Sequence, residues 1–155
     1  MYNDGCTGEK GVYALIINVQ SSTLINFKGM PARLDPGTYV YIGSAHGPGG
    51  VKARVRRHLK PEKKTKWHID KVTTLPYAQI ICVVCAETQS PECILTPHLE
   101  KHGFIHPLPG FGSSDCRRGC TSHFFKCNKN PAECIRAVQL AFQESRLENV
   151  QTLYL

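Results

Sequence analysis

The sequence predicts an α+β fold, in which a small, mostly antiparallel central sheet of three strands is flanked by helices, with an extra hairpin and a C-terminal helix. Short runs rich in β-branched residues alternate with turn residues near the N-terminus. An apolar stretch at residues 78–87 is typical of a buried strand, and residues 131–145 have the periodicity of an amphipathic helix. The 155 residues contain no internal repeat or long linker, and they predict a single domain.

The first strands are predicted from composition and turn residues. Residues 11–19 and 21–29 are rich in β-branched side chains and predict a hairpin with a tight reversal at Gln20. Residues 30–37 (MPARLDPG) contain two prolines and a glycine and predict a break in the strand pattern. Residues 38–43 (TYVYIG) alternate as the third strand.

Two helices are predicted after a glycine-rich loop. Residues 51–60 (VKARVRRHLK) have helical spacing, and Pro61 ends this helix. Residues 67–75 (WHIDKVTTL) predict a short second helix, separated from the first by a charged connector.

The second half of the chain continues with helices and one more short strand. Ser90 and Pro91 fit the N-cap and first turn of a helix, which Pro97 is expected to kink or split in two. Residues 121–127 (TSHFFKC) predict a strand, and residues 131–145 the clearest helix of the chain.

The positive charge of the chain is concentrated in one stretch. The net charge is +7, and between positions 52 and 71 nine Lys and Arg face two acids, so this stretch carries the whole excess. Such a pattern favours contact with a polyanion on one face, and a solvated basic surface is the alternative. The side chains predicted to bind nucleic acid are Lys52, Arg56, Arg57, Lys60, Lys63, Lys64 and Lys66.

The N-terminus and the cysteines predict a soluble protein of the cytoplasm with no membrane partner. The apolar run at residues 11–19 is too short and too rich in β-branched residues for a signal or membrane helix. The eight cysteines are expected to be reduced core residues or metal ligands rather than a disulfide framework. Cys82 and Cys85 lie in a predicted strand interior, where core packing is favoured over redox chemistry.

Helical periodicity predicts a cleft beside the helix at residues 51–60. At about 100° per residue, its apolar side chains Val51, Val55 and Leu59 face the core. Arg54 and His58 lie one turn apart on the other side of this apolar seam. They are therefore expected to overlook a cleft between helix and sheet.

Tyrosines and one carboxylate are predicted to join this cleft. Tyr41 lies on the preceding strand, Gly43 leaves room for close approach to its backbone, and Tyr13 lies on a strand expected to be its neighbour. Phenols with an arginine and an imidazole suit phosphodiester chemistry. Glu92 is the acid best placed to bind Mg²⁺ there, although an ordinary first-turn Glu is the simpler interpretation of its spacing.

These motifs resemble the GIY-YIG nuclease domain. The motifs are GVY at residues 11–13, YIG at residues 41–43, ARVRRHL at residues 53–59, His68 and the Glu of PEC. The longer string PGTYVYIGSAHGPGG…RHLK…KWHID…EC…PGFGSSDC…SHFF is similar to a prokaryotic branch of that superfamily, found alone or fused to endonuclease III-like glycosylases. The resemblance implies a catalytic part at about residues 10–105 and a family-specific extension at about residues 106–155.

The resemblance implies a role for each matching residue. Tyr13 would be the general base or would position the attacking water, and Tyr41 would support it. Arg54 would stabilise the pentavalent phosphorane, while His58 and His68 would bind phosphate or transfer protons. Glu92 would bind one divalent ion, Mg²⁺ or Mn²⁺. As a base, Tyr13 would need nearby positive charge to lower its pKa.

Two features of the sequence depart from the family pattern. The GIY-like and YIG-like motifs are separated by residues 14–40, which implies an extended hairpin and loop. Many family members also have an Asn near the end of the domain, and Ser114, Asp115 and Ser122 are the alternatives to it here.

A second metal is considered for the cysteine-rich segment. Zinc ligation there is the less favoured interpretation, because the spacing of the cysteines and histidine is unusual and ligands on one short strand-bearing segment would not all point the same way. The candidate ligands are Cys116, Cys120, His123 and Cys127.

The function predicted from the sequence is a metal-dependent endonuclease acting on DNA, related to repair or recombination. The alternative is a non-catalytic nucleic-acid-binding module on the same fold that acts with a repair enzyme. A weaker alternative is a zinc-stabilised protein-interaction domain.

Overall fold

The computed structural model describes residues 5–114 and 116–155 and has helices on both faces of a five-stranded sheet. The strand order is β6-β4-β1-β5-β7, each neighbouring pair is antiparallel, and β2 and β3 form a separate two-stranded ribbon. The strands are β1 Gly11–Val19, β2 Thr23–Phe27, β3 Met30–Leu34, β4 Gly37–Ala45, β5 Ala78–Glu87, β6 Phe124–Cys127 and β7 Gln151–Tyr154. The helices are α1 Gly50–Leu59, α2 Asp70–Thr73, the 3-10 helix Glu92–Leu95, α3 Thr96–Lys101 and α4 Pro131–Glu144.

The α+β class and the mostly antiparallel sheet are confirmed, but the predicted number of three strands is wrong. The long strands β4, β1 and β5 form the centre, and β6 and β7 extend it at the two edges. The strand predicted at residues 121–127 is present as β6, whereas β7 was not predicted. With only four residues, β7 is too short for an alternating pattern to stand out.

The predicted pairing of the first two strands is also wrong. All nine residues of β1 pair with β4 on one side and β5 on the other, so no edge of β1 remains for β2. Instead, β2 pairs with β3, which occupies the segment predicted as a break. Their two-residue turn, Lys28 and Gly29, has positive φ at both positions, 53° and 76°, as a type I′ hairpin turn requires. The extra hairpin therefore exists, but as a ribbon outside the main sheet.

The sheet separates two apolar cores. One face packs Tyr13, Leu15 and Tyr41 against Val51 and Val55 of α1, and α2 and the ribbon complete this core. The other face packs against the 3-10 helix, α3 and α4. Because side chains alternate along a strand, Tyr39 and Tyr41 share the face that packs against α1.

The helices largely follow their sequence signals. Helix α4 begins after Asn130, whose side chain accepts a hydrogen bond from the Glu133 backbone N–H. The helix predicted from Ser90 splits in two, with the 3-10 helix followed by α3, and Pro97 lies in the first turn of α3, where its missing N–H costs little. None of the helices in the described part of the chain has the length and apolarity needed to cross a bilayer.

Four of the eight cysteines form disulfides, which corrects the expectation that all are reduced. Cys6 bonds Cys85, and Cys127 bonds Cys134. In each pair the Cα atoms lie 6.1 Å apart, a separation that a disulfide spans. Distances between these residues cannot be read from the sequence, and the expectation relied on the predicted cellular compartment and the size of the chain.

Asp70 joins α1 to α2 through a buried carboxylate. The Arg57 guanidinium donates to both of its oxygens at 3.0 and 2.9 Å, and the backbone N–H groups of Lys66 and Trp67 donate to Oδ2 at 2.9 and 3.0 Å. Burial opposes ionisation of this carboxyl, but the hydrogen bonds from Arg57, Trp67 and Lys66 outweigh it and lower its pKa to about 2. Arg57, predicted to bind nucleic acid, is therefore turned towards Asp70.

Replacement of Asp70 by Asn should lower the free energy of unfolding at pH 7 by about 2–3 kcal/mol, because the Arg57 guanidinium loses its charged partner. Since the folded pKa lies below the unfolded one, wild type has this stability above about pH 4 and loses it as the pH falls towards 2. Urea unfolding of both proteins between pH 2 and 7 measures the difference. Asp35→Asn, in the exposed pair with Arg33, is the control and should change stability by less than about 0.5 kcal/mol. A difference that stays constant across the range would contradict this assignment.

Candidate active site

The register of β1 and β4 places Tyr13 across the backbone of Gly43. The two residues are paired in the sheet, and a Cβ atom at position 43 would lie 2.5 Å from the Tyr13 phenol oxygen. Glycine is therefore needed where the Tyr13 ring crosses β4. The group that approaches the backbone of Gly43 closely is the Tyr13 ring, and the sequence predicted such an approach at this glycine.

A cleft of about 200 Å³ brings together residues from distant parts of the chain. Tyr13 and Tyr41 come from the sheet, Arg54 from α1, and Glu92 from the first turn of the 3-10 helix. Four of the six predicted catalytic residues therefore line one cleft. The complete lining is Tyr13, Tyr41, Gly43, Ser44, Arg54, Trp67, Glu92, Gly112, Cys116 and His123.

His58 lies behind Tyr13 rather than in the cleft wall. Its side chain is buried, and its Nε2 atom is 2.8 Å from the Tyr13 phenol oxygen. Burial, and then the positive charge of Lys63, lower the pKa of His58 to about 3, with Asp70 opposing. The imidazole is therefore neutral at pH 7, and Nε2 can accept the Tyr13 proton when Nδ1 carries the ring proton.

Both cleft phenols are protonated at neutral pH. Burial, and then the neighbouring Tyr41, raise the pKa of Tyr13 well above its usual value, while Arg54 acts in the opposite direction. Burial, and then Glu92, raise the pKa of Tyr41. The expected lowering by Arg54 is thus present, but desolvation of the phenol outweighs it.

His68 lies in an adjoining cavity of about 210 Å³, which shares Tyr41, Trp67 and Gly112 with the cleft. Its Nδ1 atom accepts a hydrogen bond of 2.9 Å from the Gly112 backbone N–H. This bond fixes the loop at residue 112 over Tyr41. The structure therefore places His68 beside the other predicted residues rather than among them.

A cluster of metal-ligand residues borders the cleft behind Glu92. The ligand atoms of Cys93, Cys116, Cys120 and His123 all lie within 4.8 Å of one another, so these residues could hold a metal ion. Cys127, predicted as a ligand, is instead in a disulfide with Cys134 on the α4 side of the sheet. Cys93 takes its place and was missed because it lies 23 residues before Cys116.

The family match covers both the cleft and the cluster. Residues 12–145 match the family described as Domain of unknown function DUF123. The chain belongs to the DUF123 family. Among curated proteins and among solved structures, no significant match was found. The DUF123 region includes every residue placed in the cleft, from Tyr13 on β1 to His123 before β6.

Trp67 connects the DUF123 cleft to the basic stretch. The charged groups of Arg54, Arg57 and Lys66 lie 4.6, 4.1 and 5.1 Å from the centre of its ring. A guanidinium over an aromatic face is stabilised by the quadrupole of the ring. Trp67 therefore orients Arg54 towards the cleft.

The predicted nucleic-acid-binding side chains divide into three groups. Arg57 pairs with Asp70, and the Lys63 ammonium donates to the carbonyl oxygens of Arg57, His58 and Lys60 at the end of α1, so these two support the fold. Lys52 is half-buried. The exposed members are Arg56, Lys60, Lys64 and Lys66.

The candidates for a terminal Asn have different surroundings. Ser114 lines the cavity of His68 and Tyr41. Ser122 is buried, and its hydroxyl donates to the Phe124 carbonyl oxygen. Asp115 lies outside the described residues. Of the two described serines, Ser114 is the one placed beside the cleft.

Proposed function

We propose that this DUF123 protein is a metal-dependent endonuclease of GIY-YIG type that hydrolyses phosphodiester bonds in DNA. The observation that carries the proposal is the convergence of Tyr13, Tyr41, Arg54 and Glu92 on one cleft. Phosphodiester hydrolysis needs a group that takes a proton from water and positive charge that stabilises the phosphorane. The cleft contains residues suited to both tasks.

The contact between Tyr13 and His58 supports a proton relay. As water attacks phosphorus, its proton would pass to the Tyr13 phenol oxygen, while the phenol proton passes to Nε2 of His58, 2.8 Å away. The relay needs a protonated phenol and a neutral imidazole, which are the forms present at neutral pH. Burial is the largest cause of the low pKa of His58, so a bound phosphate would offset only the smaller contributions of Lys63, Arg57 and Arg54.

Arg54 and Tyr41 would meet the charge that develops on the phosphorane. Arg54 is held over Trp67 and needs little reorganisation to stabilise that charge. The Tyr41 hydroxyl, protonated because its pKa is raised, would donate a hydrogen bond to a phosphate oxygen.

Glu92 fits a divalent cation by the chemistry of its donor atoms. Mg²⁺ is bound through one or two carboxylates together with substrate phosphate and water, and Glu92 is the carboxylate among the cleft-lining residues. Its contact with Nδ1 of His123 is made by Oε1. Bound Mg²⁺ or Mn²⁺ would supply Lewis-acid polarisation of the scissile phosphate and charge stabilisation of the leaving 3′ oxygen.

A nicking assay tests the proposal against the alternative of a binding module that serves a repair enzyme. Supercoiled, branched and single-stranded DNA are incubated with the protein in Mg²⁺ or Mn²⁺, and with EDTA as the control. The nuclease predicts cleavage of at least one substrate that EDTA abolishes. Binding without cleavage of any substrate would overturn the nuclease and favour the binding module.

Replacing exposed lysines of the basic stretch should weaken the salt dependence of DNA binding. In Lys60→Ala/Lys64→Ala, fewer counterions are released on binding, so the slope of log affinity against log salt should become shallower by about 1–2. Fluorescence anisotropy at several salt concentrations measures the slope. Lys101→Ala/Lys129→Ala, which changes two exposed lysines on the α3 and α4 side, is the matched control and should keep the wild-type slope. Equal slopes in both double variants would contradict the assigned DNA surface.

A further inference from the structure

We propose that Cys93, Cys116, Cys120 and His123 bind one Zn²⁺ ion, which fastens the loop before β6 to the 3-10 helix and orients His123 against Glu92. Cys93 belongs to the 3-10 helix, Cys116 and Cys120 to the loop, and His123 directly precedes β6. The four ligands therefore join two segments that no backbone pairing connects among the described residues. Zinc binding needs only these four side chains and does not depend on nuclease activity.

The spacing of the ligand atoms fits a single ion. Zn–S bonds of about 2.3 Å and Zn–N bonds of about 2.0 Å place tetrahedral ligands roughly 3.3–3.8 Å apart. Around Cys93, the Sγ atom lies 3.2 Å from Sγ of Cys116, 2.6 Å from Sγ of Cys120 and 3.3 Å from Nε2 of His123. Small outward movements would admit the ion. An iron–sulfur cluster would need the thiolates farther apart, because several iron and sulfide atoms would lie between them.

A disulfide between Cys93 and Cys120 is the competing arrangement. It would use the sulfurs of two of the four residues. The Cys116 thiol and Nε2 of His123 would then have no metal ion to bind. Zinc accounts for all four, and a Cys₃His set is one of its usual tetrahedral environments. The convergence of all four donors therefore favours the metal.

The two nitrogens of His123 face different partners. Nε2 faces the thiols, whereas Nδ1 lies 3.3 Å from Oε1 of Glu92. With zinc on Nε2, the ring proton is fixed on Nδ1 and points at the carboxylate, the arrangement in which an outer carboxylate orients a zinc-bound histidine. Glu92 thus lies between the zinc site and the cleft, which it also lines.

Metal analysis of the full chain tests the site. Protein purified without metal-affinity steps, reduced and supplied with Zn²⁺, should hold one zinc per chain after removal of excess ion. Cys93→Ser and Cys120→Ser should lose it, whereas Cys82→Ala, at a free cysteine outside the cluster, should keep it. Co²⁺ titration of the wild type gives a second readout that does not depend on the variants folding, since a tetrahedral thiolate site produces intense charge-transfer and ligand-field bands. Background zinc and no such bands in the reduced wild type would overturn the proposal.

The orientation of His123 is tested through zinc affinity in the absence of any substrate. Loss of an outer-shell partner weakens metal binding by about 10-fold or more, so Glu92→Ala should lower zinc affinity to this extent in a chelator competition. Glu92→Gln keeps an oxygen acceptor and should recover most of it. Unchanged zinc affinity in Glu92→Ala would contradict the proposal that Glu92 orients His123. Because no DNA is present, the zinc content and the zinc affinity are measured independently of whether the protein is a nuclease.

Discussion

Glu92→Gln is expected to lower the rate of metal-dependent DNA cleavage by about 10³-fold. The substitution keeps the size of the side chain and one oxygen, so the 3-10 helix and the contact to His123 can be retained. It removes the negative charge that Glu92 brings to the cleft. The divalent ion should then bind more weakly, and the phosphorane should lose its electrostatic stabilisation.

Single-turnover cleavage measured over a range of Mg²⁺ and Mn²⁺ concentrations separates these two effects of Glu92→Gln. The variant should need more metal and should remain slower than wild type at saturation. Glu87→Gln, at an exposed acid that ends β5, is the matched control and should cleave at the wild-type rate. Wild-type metal dependence in Glu92→Gln would exclude Glu92 as the metal ligand.

Tyr13→Phe should lower kcat by about 10²–10⁴-fold and leave DNA affinity nearly unchanged. The variant retains the ring that crosses Gly43 and packs in the core, so the fold should persist with a loss of only about 1 kcal/mol. It lacks the hydroxyl that contacts His58 and that would transfer the proton from water. In the proposed relay this hydroxyl transfers a proton and does not bind phosphate, so kcat should fall without a comparable rise in KM.

Steady-state kinetics, with Tyr154→Phe as the control, check this result. Tyr154 is exposed on the edge strand β7, and loss of its hydroxyl should change neither kcat nor KM. A Tyr13→Phe enzyme with wild-type kcat would rule out the proton relay. A fall in affinity with unchanged kcat would instead assign Tyr13 to phosphate binding.

Local periodicity was sufficient to predict much of the cleft. The strand predicted at residues 38–43 supplied Tyr41, and the helical period predicted that Arg54 and His58 face the sheet. These patterns are local, since each depends on a few neighbouring residues in one element. Pairing between strands is not local, which is why the predicted pairing of β2 with β1 was wrong.

The metal cluster and Arg57 show what the local patterns omit. Cys127 lies close to Cys120 in sequence, but it faces α4 with Phe125, on the side of the sheet away from the cleft. Cys93 reaches the cluster only because the 3-10 helix packs against the loop before β6. Arg57 has an outward position on the helical wheel, yet its guanidinium forms an ion pair with the buried Asp70 carboxylate. Each of these outcomes depends on a partner distant in sequence.

The most direct test of the proposed nuclease activity is cleavage of DNA in ¹⁸O-labelled water with Mg²⁺ or Mn²⁺, followed by mass analysis of the new ends. Attack by a water activated at Tyr13, with the 3′ oxygen as leaving group, predicts 3′-hydroxyl ends and ¹⁸O in the new 5′-phosphate. The absence of cleavage on all DNA substrates, or ends that carry a 3′-phosphate, would contradict the account.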